Sequence, residues 1–190
     1  SFPTRRSSDL QTRQIFERVF DRSWEDMGME LLYDVAHNIA KKESHAVDGE
    51  ERELYVHRKG ATRAFPAGRE EVPRAYRDVG QPVLLPGSMG TGSYVLRGGD
   101  GSLTESFGST AHGAGRIMSR TQAKREYGAG DVQADLRDHQ QIYIKAEDGE
   151  TIAEEAPGVY KDIDDVVAVS EELALADPVA RTVPVCNIKG

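Results

Sequence analysis

The 190-residue sequence has little of what marks several common classes of protein. Its one cysteine, Cys186, excludes an internal disulfide and a local cysteine-rich zinc motif. No apolar run approaches the ~20 residues that cross a bilayer, and no charged start is followed by an apolar block, as in a secretory signal. We therefore expect a cytoplasmic protein with no membrane partner.

Positive charge is also in deficit. The 24 Lys and Arg residues face 32 Asp and Glu residues, so the formal net charge is −8 and the molecule as a whole repels a polyanion. Contact with nucleic acid must therefore come from local basic clusters. One cluster, "HRKGATR", holds Arg58, Lys59 and Arg63, and a second holds Arg116 and Arg120. Taken alone, each is best interpreted as solvated loop charge.

The first ten residues, "SFPTRRSSDL", do not fit the rest of the chain. They resemble a translated sequencing-adapter read, so residues 1–10 are interpreted as a non-native scar and are excluded from the fold prediction. Under this interpretation the natural chain begins upstream, and residues 11–190 are part of a longer protein. The length and composition of the remainder predict one compact unit.

The hydrophobic pattern predicts a mixture of helices and antiparallel strands. Helices are predicted from Gln11 to about Met27, after His112, over "DVQADLRDHQ", and over "DIDDVVAVSEELALA" with a stripe of Val166, Val169 and Leu173. Strands are predicted for "MELLYDVAHNIA" and, after the turn signal "DGEE" at residues 48–51, for "RELYVHR". Further strands are predicted for a hairpin of "SYVLR" and "SLTESF", for a pair of "QIYIKA" and "TIAEEA", and at the C-terminus. Because there is no βαβ rhythm, we expect an α+β fold with mixed, largely antiparallel sheets and flanking helices.

The stretch "STAHGAGRIMSR" places the imidazole of His112 among alanines and glycines that are too small to pack around it. Such neighbours would let a bulky, phosphate-bearing reactant reach the ring. A helix beginning near Gly115 would add free amides, and Arg116 a positive charge, beside it. The pattern suits phosphoryl or nucleotidyl transfer, although a lone histidine in a glycine-rich turn is more often structural.

A second glycine-rich loop, "PGSMGTGS" at residues 86–93, has backbone amides that could line an anion. It is not a Walker A sequence, because no "GK[ST]" follows. His37, followed by Asn38, is predicted just beyond a strand end, where ligands often collect. Without a local partner, however, this imidazole would need metal ligands from elsewhere.

The other polar candidates favour ordinary roles. His45 and His139 lie in charged surroundings and are expected at the surface, and His57 is expected to be structural. Lys189 precedes the final glycine, and a penultimate lysine is normally a solvated terminus.

Several strings together resemble the C-terminal part of the RtcB-type RNA-splicing ligases. In order they are "DVAHNIAK", "VHRKGATRAFPAG", "GQPVLLPGSMGTGSYVL", "STAHGAGRIMSR", "EEAPGVYKDIDDVV" and "IKG". The resemblance covers residues 11–190 almost continuously. It implies an α+β catalytic domain with a deep metal-bearing cleft, and a ligase active in tRNA splicing or RNA repair. Such an enzyme uses GTP and manganese to join an RNA 3′-phosphate or 2′,3′-cyclic phosphate to a 5′-hydroxyl.

The resemblance also implies roles for single residues. His112 would be the nucleophile that takes GMP from GTP, and His37 a manganese ligand. Further nucleotide contacts would come from Asn38, Pro86, Gly87, Ser88, Met89, Ser93, Gly113, Ala114, Gly115 and Lys189. Arg116 and Arg120 resemble arginines that face RNA phosphate or the nucleotide, and salt bridges that hold the cleft wall are the competing interpretation.

The chain also departs from the family pattern. The family's aspartate and cysteine metal ligands, its other histidine ligands and an asparagine-containing segment belong upstream of this sequence, and Cys186 is not the metal cysteine. Because one histidine cannot hold manganese tightly, we expect this chain alone to lack ligase activity. Two alternatives stay open: a catalytically silent nucleotide- or RNA-binding module, and an unrelated histidine-based phosphotransfer enzyme.

Overall fold

The computed structural model describes residues 5–34 and 38–189, and the chain divides into two compact units, residues 1–34 and 35–190. The first unit contains helix α1, Arg5–Phe20, which begins inside the stretch interpreted as a scar. Asp21 follows with a left-handed φ of 50°, so the helix ends well before the predicted Met27. Residues 29–34 form neither helix nor strand, so the strand prediction is wrong there. The non-native origin of residues 1–10 stays a prediction.

The second unit alternates strands with short helices, which confirms the α+β class. In chain order its elements are β1 Asn38–Val47, β2 Glu50–Lys59, β3 Ala61–Arg63, β4 Pro82–Leu85, β5 Ser93–Gly98, α2 Gly101–Glu105, β6 Ser109–Ala111, α3 Arg120–Glu126, α4 Ala129–Gln140, β7 Tyr143–Ala146, α5 Gly149–Glu154, α6 Ile163–Glu172, β8 Ala176–Thr182 and β9 Cys186–Lys189. Within residues 5–34 and 38–189, no helix is both long and apolar enough to cross a membrane.

The strands form small sheets that are largely antiparallel, as predicted. Strands β1 and β2 make a long hairpin, β3 pairs with β6, and β5 lies between β4 and β8. The hairpin turn lies at Asp48 and Gly49, both with positive φ, where the "DGEE" signal predicts it. Strands β7 and β9 pair in parallel.

Two predicted strands are helices instead. "SLTESF" forms most of α2, and β5 pairs with β4 and β8 rather than with this segment. "TIAEEA" lies mostly in α5, whose N-cap Asp148 accepts a hydrogen bond from the Thr151 amide at 2.7 Å. This cap satisfies an otherwise unpaired amide and favours the helix over a strand.

Helix α6 is confirmed, but it buries a different stripe from the predicted one. Ile163, Val167 and Ser170 face the interior, whereas Val169 and Leu173 are about half exposed. The acidic first turn is present, and the Asp162 side chain caps the helix by accepting from the Asp164 amide at 2.9 Å. The sequence therefore identified the helix and misplaced its buried face by one residue.

The second unit has two hydrophobic clusters. Cluster A surrounds β4, β5 and α6 and contains Ala64, Val83, Leu85, Leu96, Ala114, Ile163, Val167 and Ala176. Cluster B surrounds α4, α5 and β7 and contains Met89, Ala123, Val132, Leu136, Ile142, Ile152, Ala156 and Val159. Each fully buried large aliphatic side chain contributes about 1.5–3 kcal/mol of favourable free energy. The loop at residues 86–93 begins beside Leu85 in cluster A and sends Met89 into cluster B, so both clusters fix its position.

Candidate functional site

His112 lies directly after β6, at the edge of the small β3–β6 sheet. In that sheet Ala61 is paired with Ala111, so the imidazole comes next to Gly60, the residue before β3. Gly60 has a left-handed φ of 78°, and a Cβ at this position would lie 4.0 Å from Nε2 and from Cδ2 of the ring. His112 is half-buried, so part of the residue is open to solvent.

The residues after His112 contact the start of the 86–93 loop. The Ala114 amide donates to the Pro86 carbonyl at 3.0 Å, and Ala114 itself is buried in cluster A. A Cβ at Gly113 would lie 3.5 Å from the same carbonyl oxygen, which is ordinary contact distance. The two glycine-rich segments that the sequence singled out are therefore neighbours in space.

The 86–93 loop is held together by its own hydroxyl groups. The Ser88 amide donates to Thr91 Oγ1 at 2.8 Å, and the Gly87 amide donates to Ser93 Oγ at 3.3 Å. The Gly90 amide donates to Ser88 Oγ, also at 3.3 Å. The expectation that these amides face an anion is therefore wrong for Gly87, Ser88 and Gly90, because hydroxyl oxygens already accept from them. An anion at this loop would meet hydroxyls or the remaining amides.

Met89 has a different environment from its neighbours. Its side chain is 2% exposed and packs in cluster B, and its carbonyl accepts from Asn187 Nδ2 at 2.9 Å. A nucleotide contact by Met89 would therefore use backbone atoms. The Asn187 bond places β9, which ends at Lys189, against the loop, although the side chain of Lys189 lies outside the described part.

Asn38 approaches the same region from β1. It is exposed and lies opposite Lys59, and Lys59 directly precedes Gly60 beside the His112 ring. His37, the predicted metal ligand, lies outside the described residues. A series of contacts thus leads from Asn38 through Gly60 to His112, and from Ala114 through the 86–93 loop to β9. Nucleotide and metal binding by these residues stay predictions.

No helix begins beside His112, contrary to expectation. Helix α3 starts at Arg120, capped by the Ser119 side chain, and residues 113–119 form no helix. This segment is instead bound to residues 159–161: the Ile117 amide donates to the Val159 carbonyl at 2.8 Å, and the Lys161 amide donates to the Gly115 carbonyl at 3.0 Å. Backbone pairing therefore replaces the predicted helix dipole.

Arg116 lies in a network of acceptors. Its guanidinium donates to the Glu154 carbonyl at 2.6 Å, to the Tyr160 hydroxyl at 3.2 Å and to Glu155 Oε1 at 3.3 Å. Burial raises the pKa of Tyr160, and the hydrogen bond that its hydroxyl donates to Glu155 raises it further. These contacts match the salt-bridge interpretation of Arg116, and an RNA contact stays a prediction.

Arg120 is more exposed and pairs with Glu154, which also binds Lys124. Burial opposes ionisation of the Glu154 carboxyl, but the Lys124 hydrogen bond and the charge of Arg120 outweigh it and lower the pKa. Arg120 is therefore held by a carboxylate while one side of its guanidinium stays accessible to solvent. Contact between Arg120 and RNA phosphate stays a prediction.

The first basic cluster is not solvated loop charge. Arg58 is 1% exposed and makes a bidentate pair with Glu43, with both N–O distances 2.8 Å. It also donates to Ser109 Oγ and to the Phe107 carbonyl, each at 2.9 Å. Arg58, which lies two residues before Gly60, thus connects the hairpin to the start of β6. Arg63 donates to Gln81 Oε1 at 2.9 Å, which leaves Lys59 as the exposed member of the cluster.

His45 is buried beside this pair, so its predicted surface position is wrong. Its Nε2 lies 3.1 Å from Glu43 Oε2, and its ring meets Phe107 edge to face at 5.5 Å between centroids. Burial raises the pKa of the Glu43 carboxyl, but the hydrogen bonds from Arg58 and His45 outweigh it and leave the pKa lowered. The predicted surface position of His139 is confirmed, and His57 is exposed as well.

A cleft of about 590 Å³ adjoins the second half of the 86–93 loop. Its described lining includes Gly90–Gly92, Gln140–Ile142, Asp162–Asp164, Arg181 and Val183–Val185. None of the predicted site residues belongs to this described lining. The cleft touches Ile163 of cluster A and Ile142 of cluster B, so it borders both clusters.

Gly60, Asn187 and the Glu155–Tyr160 pair were not singled out from the sequence. Gly60 carried one signal, because a glycine between two strand-like stretches often marks a left-handed residue. Glu155 and Tyr160 lie inside the quoted string "EEAPGVYK", but only the structure shows that they surround Arg116. Asn187 had no local signal, since its partner lies 98 residues away.

Comparison with known proteins gives consistent matches. The family model described as tRNA-splicing ligase RtcB matches residues 4–190. A protein named tRNA-splicing ligase RtcB from Thermococcus kodakarensis is 57% identical over 178 residues, which cover 94% of this chain and 37% of the relative. Similarly named proteins are 54% identical in Archaeoglobus fulgidus, with the same coverage, and 47% identical in Methanopyrus kandleri, over 100% of this chain and 20% of the relative. The chain thus spans well under half the length of these relatives.

Proposed function

Because this chain belongs to the RtcB family, we propose that it is part of a tRNA-splicing ligase and carries the histidine that becomes covalently guanylylated. The observation that best supports this proposal is the setting of His112. His112 is half-buried, its ring lies beside Gly60, and the residues after it contact the 86–93 loop through the Ala114–Pro86 hydrogen bond. A nucleophile that must meet a nucleotide phosphate needs this combination of access and fixed position.

In the proposed first step, an imidazole nitrogen of His112 attacks the α-phosphorus of GTP. A phosphorus–nitrogen bond forms, the bond to the bridging oxygen breaks, and pyrophosphate leaves. An oxygen of an RNA 3′-phosphate then attacks the same phosphorus and releases the imidazole. Finally, the 5′-hydroxyl of a second RNA attacks the activated 3′-phosphate, loses its proton, and displaces GMP as the phosphodiester forms. The covalent step divides one difficult transfer into easier ones.

Manganese, when bound, would offset charge on the phosphates. Among residues 5–34 and 38–189, no three carboxylate, imidazole or thiolate side chains lie together as a set of metal ligands. The described residues therefore do not fit a complete manganese site. In this proposal His37 contributes one ligand, and the remainder of the longer family protein supplies the others.

The residues of this chain would bind and orient the nucleotide around His112. The hydroxyls of Ser88 and Ser93 lie on the loop that contacts the residues after His112, and Asn38 lies opposite Lys59, next to Gly60. Gly113 would leave the ring open on the side of Pro86, and Lys189 would reach the guanine nucleotide from β9. The Glu155–Tyr160 network would fix Arg116 and keep the segment after His112 in place.

A chimera tests the proposal: residues 11–190 are joined to the part of the Thermococcus kodakarensis relative that precedes the matched region. With manganese and GTP radiolabelled on the α-phosphate, we expect the label on His112. His112→Gln should abolish it, and His139→Gln, at an exposed histidine on α4, should leave it unchanged.

An unlabelled chimera, or a label that survives His112→Gln, would contradict the proposal. Transfer from GTP radiolabelled on the γ-phosphate would instead support histidine-based phosphotransfer. RNA or nucleotide binding by a chimera that never takes up label would support the catalytically silent module.

A further inference from the structure

One face of the β1–β2 hairpin leads away from the His112 region. Residues directly opposite each other in an antiparallel pair project from the same face, and so do every second residue along each strand. In the half of this face nearest Gly60, the register places three facing pairs of exposed residues: Asn38 with Lys59, Ala40 with His57, and Lys42 with Tyr55. The opposite face carries the buried Glu43, His45 and Arg58.

The exposed face combines rings with positive charge. Tyr55 is 71% exposed, so its ring is accessible to a nucleic-acid base. His57 presents a second ring two residues along the strand, and Lys42 and Lys59 flank the pair. Alternating rings and cations are the groups that hold single-stranded nucleic acid: bases stack on the rings and phosphates meet the cations.

The location of this face relates it to His112. Lys59 directly precedes Gly60, whose Cβ position lies 4.0 Å from the imidazole. From Lys59 the face extends about 14 Å to Tyr55, at about 3.4 Å per residue. Beyond Tyr55 the same face becomes acidic, with Glu53 and Glu51 opposite Ser44 and Ala46. The cationic half therefore adjoins the His112 region, and the half that would repel a phosphate chain is distant from it.

We propose that Lys42, Tyr55, His57 and Lys59, together the hairpin face, bind the single-stranded RNA that leads to the end being joined. This inference rests on the proposed function, since it takes RNA as the substrate. The net charge of −8 means that RNA must be held by a local patch. Arg58, Arg63 and Arg116 are already bound to Glu43, Gln81 and Glu155. Lys42 pairs with Glu53, and phosphate would compete for its ammonium group.

The test measures binding of a fluorescein-labelled, single-stranded RNA of about ten nucleotides to the 190-residue chain by anisotropy, at several salt concentrations. Tyr55→Ala should raise Kd about tenfold, and Tyr55→Phe should retain binding, because the ring supplies the stacking. The matched control is Tyr143→Ala, which removes a tyrosine that is 72% exposed on β7. It should leave Kd unchanged.

The lysine contribution has its own signature. Lys42→Ala should reduce the slope of log K against log salt by about 0.7, the amount expected for one phosphate contact with a single strand. Lys41→Ala serves as the control, because Lys41 is adjacent and exposed but belongs to the opposite face of the hairpin. Its slope should equal that of the unsubstituted chain.

Equal effects of Tyr55→Ala and Tyr143→Ala would overturn the inference. The same would hold if Tyr55→Ala weakened binding of a fully paired RNA duplex as much as that of a single strand. Separately, Tyr55→Ala in the chimera should leave α-phosphate labelling of His112 unchanged. Tyr55-dependent RNA binding without any labelling would refute the proposed function alone, and labelling without Tyr55-dependent binding would refute the hairpin face alone.

Discussion

At the scale of the residue, Gly87 shows how tightly the loop beside His112 is packed. A Cβ at this position would lie 2.2 Å from the Gly92 carbonyl oxygen and 2.5 Å from Thr91 Oγ1. We therefore expect Gly87→Ala to displace the loop and to lower the free energy of unfolding by about 1–3 kcal/mol, the usual cost of overpacking. Urea unfolding of the chain measures this change. In the chimera the same substitution should reduce labelling of His112.

The control for this prediction is Gly130→Ala in α4. Gly130 is exposed, and a Cβ there meets no atom within 4 Å. Because alanine is a better helix former than glycine, this variant should be up to about 1 kcal/mol more stable than the unsubstituted chain. A Gly87→Ala chain as stable as the Gly130→Ala chain would show that the loop tolerates the extra methyl group and is not tightly packed.

Single residues were predictable where the chemistry was local. The alanines and glycines around His112 predicted an accessible ring, and the structure shows a half-buried residue whose ring lies beside Gly60. The predictions for Arg58 and His45 were wrong, because both side chains are buried against Glu43, which lies on the adjacent strand from Arg58 and two residues before His45 on the same strand. No local window reveals either burial, because the Glu43–Arg58 pair depends on the hairpin register and the ring of His45 packs against Phe107 from a distant segment.

At the scale of the element, the Glu43–Arg58 pair fixes the β1–β2 hairpin to β6. Breaking a buried pair leaves an uncompensated charge, which typically costs about 3–5 kcal/mol. We expect Glu43→Gln to lose about that much stability near neutral pH, measured by urea unfolding. The substitution should also disturb the position of His112, because Arg58 donates a hydrogen bond to Ser109 at the start of β6 and lies two residues before Gly60.

The pH dependence of stability gives a second measurement. The pKa of Glu43 is lowered by folding, so its contribution is complete above the ordinary glutamate value of 4.5 and is lost as the pH falls through the lower folded pKa. Between about pH 6 and about pH 3, the unsubstituted chain should therefore lose more stability than the Glu43→Gln variant. Glu50→Gln, which removes an exposed partner of Arg52 on the same hairpin, should change the profile little. Parallel profiles for the unsubstituted chain and Glu43→Gln would contradict this account.

Helices and strands, like single residues, were predictable where their sequence signals were local. Long periodic stretches such as α4 and α6 and the "DGEE" hairpin turn were identified, because their signals lie within a few residues. "TIAEEA" was wrong because a six-residue stretch suits either state, and the Asp148 cap decides for the helix. The strand half "KKESHAV" was missed, since mostly polar residues on a projecting hairpin show no apolar alternation.

At the scale of the whole molecule, the chain spans 37% or less of the relatives compared, and its described residues lack a complete set of metal ligands. We therefore predict that the 190-residue chain alone will not join RNA ends. The measurement is ligation of an RNA with a 3′-phosphate to an RNA with a 5′-hydroxyl, with GTP and manganese present. The chimera with the Thermococcus kodakarensis segment is the positive control. A ligated product from the chain alone would contradict the prediction.

The fold class was accessible from the sequence, since alternating helices and strands without βαβ rhythm already favoured α+β. The assembly of the site was not accessible, because it depends on contacts between distant segments. Pro86 meets Ala114 through backbone groups that most residue types would offer, and the Asn187 side chain meets the Met89 carbonyl across a long stretch of sequence. The family resemblance named the residues, and the pairing of the strands shows which of them become neighbours.

The cleft beside the 86–93 loop offers a starting point for ligand design. A small molecule bound there would contact Ile142, Ile163 and the loop residues Gly90–Gly92. Asp162, Asp164 and Arg181 would offer it both signs of charge, so it would need no phosphate group. Such a compound would act on the loop from a cleft whose described lining contains neither His112 nor any other predicted site residue.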